Sequence, residues 1–186
     1  MEIKIGVSAR HIHLTKETMK KLFGENHELV NIKNLSQPGQ YASEEKLTIK
    51  TEKGEFTGVR VLGPVRDYDQ VELAKTDAFK LGINPPVRDS GDVEGSPGIT
   101  LVGPNGEVKI EKGCIIASRH IHVTEKEIEK YNLPEVVSVK IKGEKGGILH
   151  NVRIKKAAQA YFELHLDTDD ANAHLIKNGD IGEIVK

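Results

Sequence analysis

The sequence predicts a mainly β protein of the barrel or sandwich class, arranged as two related halves with a few short α-helices. Many short segments alternate apolar and polar residues, and turn-forming Pro and Gly residues separate them. One eight-residue motif also occurs twice. Many short strands with few helices are unlike the alternating strands and helices of a doubly wound sheet, which excludes that class.

The predicted strands are short, and Pro-Gly, Gly-Pro, Asn-Gly or Gly-Gly pairs lie between many of them. Such pairs are typical of tight turns that reverse the chain. In chain order, the predicted strands outside the repeated motif are Glu2–Val7, Leu47–Thr51, Gly58–Leu62, Gln70–Leu73, Ile99–Val102, Glu107–Ile110, Cys114–Ala117, Val136–Ile141, Ile148–Ile154, Tyr161–Leu166 and Gly182–Val185.

The helices are predicted from their capping residues. Thr15 is placed to N-cap a helix over Lys16–Phe23, and Gly24 ends it. Thr124 and Glu127 form a capping box that opens a second helix. Two more helices are predicted near Asp77–Leu81 and Thr168–Ile176, and a connecting loop is predicted over Asn84–Gly98.

The repeated motif is the most informative feature of the sequence. Ser-Ala-Arg-His-Ile-His-Leu-Thr at residues 8–15 returns as Ala-Ser-Arg-His-Ile-His-Val-Thr at residues 117–124, an offset of 109 positions. Solenoid repeats have periods of about 20–50 residues, so this spacing does not fit a solenoid. Two related half-domains explain it better.

Composition limits the function classes. The 27 basic and 28 acidic residues give a net charge of -1, so we expect no nucleic-acid partner. No apolar run approaches the roughly 20 residues of a membrane-spanning helix, and the N-terminus has no signal-peptide pattern. The single cysteine, Cys114, rules out an internal disulfide and fits a reducing compartment. We therefore expect a cytoplasmic protein without a membrane partner.

Two His-x-His pairs are the strongest candidates for chemistry, His11 with His13 and His120 with His122. Residues i and i+2 of a strand point to the same face, so each pair offers two imidazoles from one rigid element. Neutral imidazole is the commonest protein ligand for metals. Because the pair occurs twice, each time before a capped helix, the sequence predicts metal binding.

Arginines supply candidates for anion binding. Arg60 lies on a predicted strand, Arg66 follows the turn after it, and Glu72 lies on the next strand. Guanidinium groups suit phosphate because they donate two parallel hydrogen bonds. Arg10 and Arg119 are expected to have structural roles, and Cys114 is predicted to be a buried apolar residue and not a nucleophile.

These motifs resemble the phosphate propanoyltransferase family, the propanediol-utilisation type of phosphotransacylase. The resemblance covers nearly the whole chain in the same order. The matching segments are 8–15, 35–41 (Leu-Ser-Gln-Pro-Gly-Gln-Tyr), 59–66 (Val-Arg-Val-Leu-Gly-Pro-Val-Arg), 76–79 (Thr-Asp-Ala-Phe), 118–122 and 165–173 (His-Leu-Asp-Thr-Asp-Asp-Ala-Asn-Ala).

The resemblance implies a fold of two small β-barrels capped by short helices, in a single catalytic unit. Roughly residues 10–117 would form one barrel, and residues 1–9 with 118–186 the other. It also implies a homodimer whose enzyme activity exchanges coenzyme A (CoA) for phosphate on a short acyl group, propanoyl or acetyl. Both His pairs would serve one dinuclear zinc centre between the halves.

The resemblance also implies site residues. Arg66 would be the catalytic, phosphate-binding arginine. The zinc ligands would be His11, His13, Glu72, His120, His122 and His165. The CoA contacts would be Ser8, Lys33, Arg60, Leu62, His165 and Asn172.

Other interpretations stay open at this point. A zinc-dependent hydrolase of a thioester or phosphoester would use the same ligands with zinc-bound hydroxide. A non-catalytic metal-binding scaffold would use the histidines only to hold the two halves. Family members housed in microcompartments carry an N-terminal helical extension, whereas this sequence starts at its first strand, so encapsulation is predicted only as a possibility.

Overall fold

In the computed structural model, which describes residues 1–185, the chain divides into two compact units. The barrel unit comprises Met1–Ala9 and the chain from Ser118 onward, and the sheet unit comprises Arg10–Ala117. The protein is mainly β, as the sequence predicts, with short helices. No helix within the described residues is both long and apolar enough to cross a membrane.

The strands are named in chain order. They are β1 (Glu2–Ser8), β2 (His11–His13), β3 (Asn31–Asn34), β4 (Tyr41–Lys50), β5 (Glu55–Gly63), β6 (Gln70–Glu72), β7 (Val87–Arg88), β8 (Ile99–Gly103), β9 (Gly106–Ile110), β10 (Cys114–Ala117), β11 (His120–Val123), β12 (Val136–Ile141), β13 (Gly147–Lys156), β14 (Glu163–Asp167) and β15 (Ile181–Val185). The helices are α1 (Lys16–Phe23), α2 (Lys75–Leu81), α3 (Glu125–Tyr131) and α4 (Thr168–Ala173).

The barrel unit contains a closed barrel of six strands in the order β1-β14-β11-β13-β12-β15. Apolar residues that alternate along these strands fill its core, among them Ile5, Ile121 and Leu164, all fully buried. Alternation therefore places one face of each strand in the core, as the period of two requires.

The sheet unit contains a nine-stranded sheet in the order β7-β10-β6-β2-β5-β4-β8-β9, with β3 paired to β4. The sheet curls into a half-barrel. Its core includes Ile12, Leu47 and Leu101. The fold class is thus confirmed with one refinement: the described strands close a barrel in one unit and leave the sheet open in the other.

Most element boundaries agree with the sequence prediction, and the differences have physical reasons. Thr15 caps α1 and Gly24 ends it, as predicted. The edge strand β3 was not predicted because its four residues are all exposed and carry no alternation. The two-residue β7 lies inside the predicted loop. Helix α4 ends at Ala173, three residues earlier than predicted.

The strand that precedes each His-x-His strand lies in a different unit from that His-x-His strand. Strand β1 runs directly into β2, yet it pairs with β14 and β15 in the barrel unit. Strand β10 runs directly into β11, yet it pairs with β6 and β7 in the sheet unit. The chain therefore passes from one unit to the other within each copy of the motif.

The sequence repeat marks a larger structural repeat. Strand β2 pairs with β5 in parallel and with β6 antiparallel. Strand β11 pairs in the same way with β13 and β14. A helix follows both β6 and β14, as it follows β2 and β11. The two units therefore share one frame of paired strands and following helices.

Candidate functional site

One group of potential metal ligands lies in the sheet unit. It consists of His11, His13 and Glu72, and we call it the first group. His11 lies directly opposite Glu72 in the β2–β6 register. The Nε2 atoms of His11 and His13 lie 3.4 and 3.9 Å from the Glu72 carboxylate oxygens. Two strands therefore bring together all three residues that the resemblance implied for this half.

The first group is well shielded from solvent. His13 is only 2% exposed, and burial is the main reason why its pKa is lowered to about 2. The nearby His11 and Arg66 lower the pKa further, against the opposing effects of Glu72 and the Leu62 backbone. The imidazole is therefore neutral near pH 7. Its buried Nδ1 atom has no hydrogen-bond partner of proper geometry, which is rare for a buried polar atom.

The second group lies in the barrel unit and consists of His120, His122 and His165. His120 lies opposite His165 in the β11–β14 register, and their rings stack with centroids 5.2 Å apart. The ring of His122 stands edge-on to both. These three residues are again the ones that the resemblance implied.

The hydrogen bonds of His120 prepare its other nitrogen for a ligand. Nδ1 lies 2.7 Å from the carbonyl oxygen of Ser118, which can only accept, so Nδ1 donates. In the neutral ring, Nε2 is then the unprotonated nitrogen, and it lies 3.2 Å from Nε2 of His122. An outer hydrogen bond of this kind is the usual support of a metal-binding histidine.

The donor sets of both groups fit zinc. Three imidazoles, or two imidazoles and one carboxylate, are the protein ligands of catalytic zinc sites that keep a fourth position for water or substrate. In each group the ligand atoms lie within 4.8 Å of one another. The orphaned nitrogen of His13 and the facing nitrogens of the second group support the same assignment.

An arginine–aspartate pair supports each group. Arg10 donates to Asp77 at 2.7 Å, and Arg119 donates to Asp170 at 2.6 Å. Each arginine directly precedes a His-x-His strand, and each aspartate lies in the helix after the strand that faces it. The expected structural roles of both arginines are thus explained by ion pairs that tie strand to helix.

Arg66 is part of a polar network that reaches the first group. Its guanidinium Nη1 donates to the Tyr68 hydroxyl and to Ser90 Oγ, both at 3.0 Å. Gln70 Nε2 lies 2.9 Å from the same Ser90 oxygen and donates to Glu72 Oε1 at 2.7 Å. Sequence reasoning missed Tyr68, Ser90 and Gln70, because only the fold brings them together.

The residues that the resemblance implied for CoA are distributed over both units. Within the sheet unit, Arg60 donates to the backbone carbonyls of Ser43 and Glu44, Lys33 is exposed on β3, and Leu62 is half-buried on β5. Within the barrel unit, Ser8 ends β1 and Asn172 lies exposed on α4, next to the strand that carries His165.

Cys114 is fully buried, and burial raises the pKa of its thiol to about 12, so the prediction of a buried apolar role is confirmed.

Glu163 was not singled out from the sequence, yet its Oε2 atom lies 3.0 Å from Nε2 of His165. Its position two residues before His165 on one strand was the available signal.

Comparison with known proteins places the chain in a family. A family model described as phosphate propanoyltransferase matches residues 4–177. A phosphate propanoyltransferase of Thermotoga maritima is 50% identical over 99% of this chain and 89% of that protein. Those of Priestia megaterium and Rhodopseudomonas palustris are 47% and 44% identical, over 97% and 100% of this chain and 84% and 83% of those proteins.

The fold, the paired ligand groups and these relatives together define the chain as an enzyme of the transferase class. This finding favours the transferase interpretation over the hydrolase and the scaffold that the sequence left open. The chain belongs to the phosphate propanoyltransferase family, as the motifs indicated.

Proposed function

We propose that the protein transfers a short acyl group, propanoyl or acetyl, between CoA and inorganic phosphate, with zinc bound at both ligand groups. The family assignment supports the substrate classes. The observation that carries the proposal is the duplicated frame, which holds a zinc-type donor set in each unit and adds Arg66 beside the first. The reaction is reversible.

In the forward direction, a phosphate oxygen attacks the carbonyl carbon of the acyl thioester. The new C–O bond forms as the C–S bond breaks, and sulfur leaves with the bonding electron pair. The products are the acyl phosphate and CoA. No side chain needs to form a covalent intermediate, in agreement with the buried and protonated state of Cys114.

The first group would hold one zinc ion and the second group another, through their imidazoles and the Glu72 carboxylate. A bound zinc ion supplies a Lewis acid for the carbonyl oxygen and stabilises a thiolate, because metal coordination deprotonates thiols. The neutral state of His13 suits this role, since a protonated imidazole cannot bind a metal.

Arg66 would bind the phosphate. Its Nη1 atom is fixed by Tyr68 and Ser90, which sets the orientation of the planar guanidinium. A guanidinium held in place orients the attacking phosphate and offsets the charge that develops on it and on the carbonyl oxygen. Its positive charge already acts on the first group, where it lowers the pKa of His13.

Local charges would hold the anionic CoA, because the chain has a net charge of only -1. Arg60 and Lys33 in the sheet unit would meet its phosphates. The remaining contacts would come from Leu62 in that unit and from Ser8, His165 and Asn172 in the barrel unit. His165 would thus serve both the metal and the CoA.

The test is a CoA-release assay on propanoyl-CoA and acetyl-CoA with phosphate varied from zero. We expect free thiol and acyl phosphate to appear in equal amounts, and both to depend on phosphate. Thiol release without phosphate would instead establish the hydrolase. A protein that binds zinc but releases no thiol under either condition would be the scaffold.

A further inference from the structure

The two ligand groups differ at one matched position beside them. Gln70 lies opposite His13 in the β2–β6 register, and Glu163 lies opposite His122 in the β11–β14 register. His13 and His122 are equivalent residues of the repeated motif. The same place in the frame therefore holds a neutral amide in the sheet unit and a carboxylate in the barrel unit.

Gln70 has a full set of partners that require an amide. Its Nε2 atom donates to Glu72 and lies 2.9 Å from Ser90 Oγ, and its Oε1 atom accepts from the Gly91 backbone at 2.7 Å. The side chain is fully buried. A carboxylate at this place would have no proton to give to Glu72 and would repel it.

Glu163 instead contacts an imidazole. The residue is 8% exposed, and its Oε2 atom lies 3.0 Å from Nε2 of His165. Space for this carboxylate comes from Gly6 on the neighbouring strand β1, opposite His165. A Cβ atom at Gly6 would lie 2.9 Å from Glu163 Oε2, closer than real Cβ atoms approach an oxygen.

The carboxylate also balances the charges of the two groups. The first group has Glu72 among its ligands, whereas the second group consists of three histidines. With Glu163 counted, each unit holds one carboxylate at its group. A carboxylate that contacts one nitrogen of an imidazole fixes the ring orientation and increases the basicity of the other nitrogen, which in His165 is Nδ1. Loss of such a carboxylate typically weakens metal binding through that other nitrogen by about 10–100-fold.

We propose that Glu163 is a positioning residue of the second group, which orients His165 for zinc and supplies the negative charge that this group otherwise lacks. The inference rests on the proposed zinc binding of the second group. It assigns Glu163 no contact with substrate.

The test is zinc affinity, measured by competition with a chromogenic chelator on the full chain. Wild type should bind two zinc ions. In Glu163→Gln, we expect one of the two dissociation constants to rise about 10–100-fold while the other stays unchanged. Glu129→Gln, at an exposed position of α3 in the same unit, is the matched control and should bind as wild type does.

A second variant removes the dependence on one substitution. Gly6→Ala keeps Glu163 but fills the space of its carboxylate, so the same dissociation constant should rise. Thermal unfolding of the metal-free proteins separates positioning from stability, and we expect Glu163→Gln to melt within about 3 °C of wild type. If Glu163→Gln does not fold, the zinc affinity of Gly6→Ala decides.

The outcomes distinguish this inference from the proposed function. Two wild-type zinc ions with unchanged affinities in Glu163→Gln and Gly6→Ala would overturn the role of Glu163 and leave the transferase mechanism intact. A lower melting temperature with unchanged affinities would make Glu163 a purely structural residue, which also overturns the inference. A wild-type protein that binds no zinc would contradict the proposed function itself.

Discussion

The sheet unit and the barrel unit use one backbone frame for two different surfaces. The frame matches at the His-x-His strand, the facing strand, the following helix and the arginine–aspartate pair. The face that carries the ligands differs. Glu72 is matched by His165, and Gln70 is matched by Glu163.

A third difference concerns the arginine. The Arg66 backbone N–H donates to the Leu14 carbonyl, and the Ala157 N–H donates in the same way to the Val123 carbonyl. Leu14 and Val123 are equivalent residues of the motif. At this matched position the sheet unit has Arg66, and the barrel unit has Ala157.

The comparison separates the residues that the two units share from those that differ between them. In both units an arginine–aspartate pair holds strand to helix. The charged residues near the two groups differ: the sheet unit has Arg66 where the barrel unit has Ala157, and the barrel unit has Glu163 where the sheet unit has Gln70.

Loss of one ligand from either group should abolish most activity. His11→Ala and His120→Ala each remove one of the three proposed ligands from a group. We expect turnover to fall at least about 1,000-fold in both, because the proposed mechanism uses a zinc ion at each group. The CoA-release assay measures it, with His150→Ala, at an exposed position outside both groups, as control. Full activity in either variant would break the equivalence of the two groups.

Loss of Arg66 should reduce turnover without loss of metal. Arg66→Ala removes the charge that would orient phosphate, so we expect a fall of about 100–1,000-fold with two zinc ions retained. The control is Arg88→Ala, which removes only a surface ion pair with Asp92 in the same unit.

A loss of zinc that parallels the loss of activity would show that Arg66 supports the first group structurally. A rise in the phosphate concentration needed for half-maximal rate is the specific sign of a phosphate-binding role.

The two arginine–aspartate pairs should differ in their contribution to stability. The Asp77 side chain is 7% exposed and the Asp170 side chain 21%, and Arg10 also packs over Phe56. We expect Arg10→Ala to lower the free energy of unfolding by about 2 kcal/mol and Arg119→Ala by about 1 kcal/mol. Urea unfolding of the metal-free proteins measures both, and the reverse order would contradict the burial argument.

The smallest change is expected when Cys114 is probed chemically, because the thiol of the native protein should not react at pH 8. This residue and Ile5 are equivalent by position relative to the motif, and both are fully buried. Burial raises the pKa of the thiol to about 12, so the reactive thiolate does not form at pH 8 and forms only as the pH approaches that value. Iodoacetamide should therefore label the protein at pH 8 only in denaturant, and rapid labelling of the native protein would refute this.

Local patterns made much of the fold predictable. Thr15 and Thr124 cap their helices as predicted, because a capping side chain bonds only to residues of the next turn. Strand β3 was not predictable, since its exposed residues are defined only by pairing with β4. The exchange of β1 and β10 between units is equally non-local, because the sequence of neither strand identifies its pairing partner. It was expected only through the family resemblance.

The candidate site divides in the same way. The histidine pairs were visible because i and i+2 spacing is a local pattern, and Glu72 and His165 came only from the family resemblance. Ser90 could not be predicted as a partner of Arg66, because the two residues are 24 positions apart in the sequence. Glu163 could have been found from its alternation with His165. The space for its carboxylate, however, lies at Gly6, which faces His165 on β1, and only the strand pairing shows this.

The most direct test of the account is the zinc content of the purified chain, measured by elemental analysis after gel filtration. We predict two zinc ions per wild-type chain, and one in His11→Ala and one in His120→Ala. A fully active wild-type protein that contains no metal would contradict the central claim.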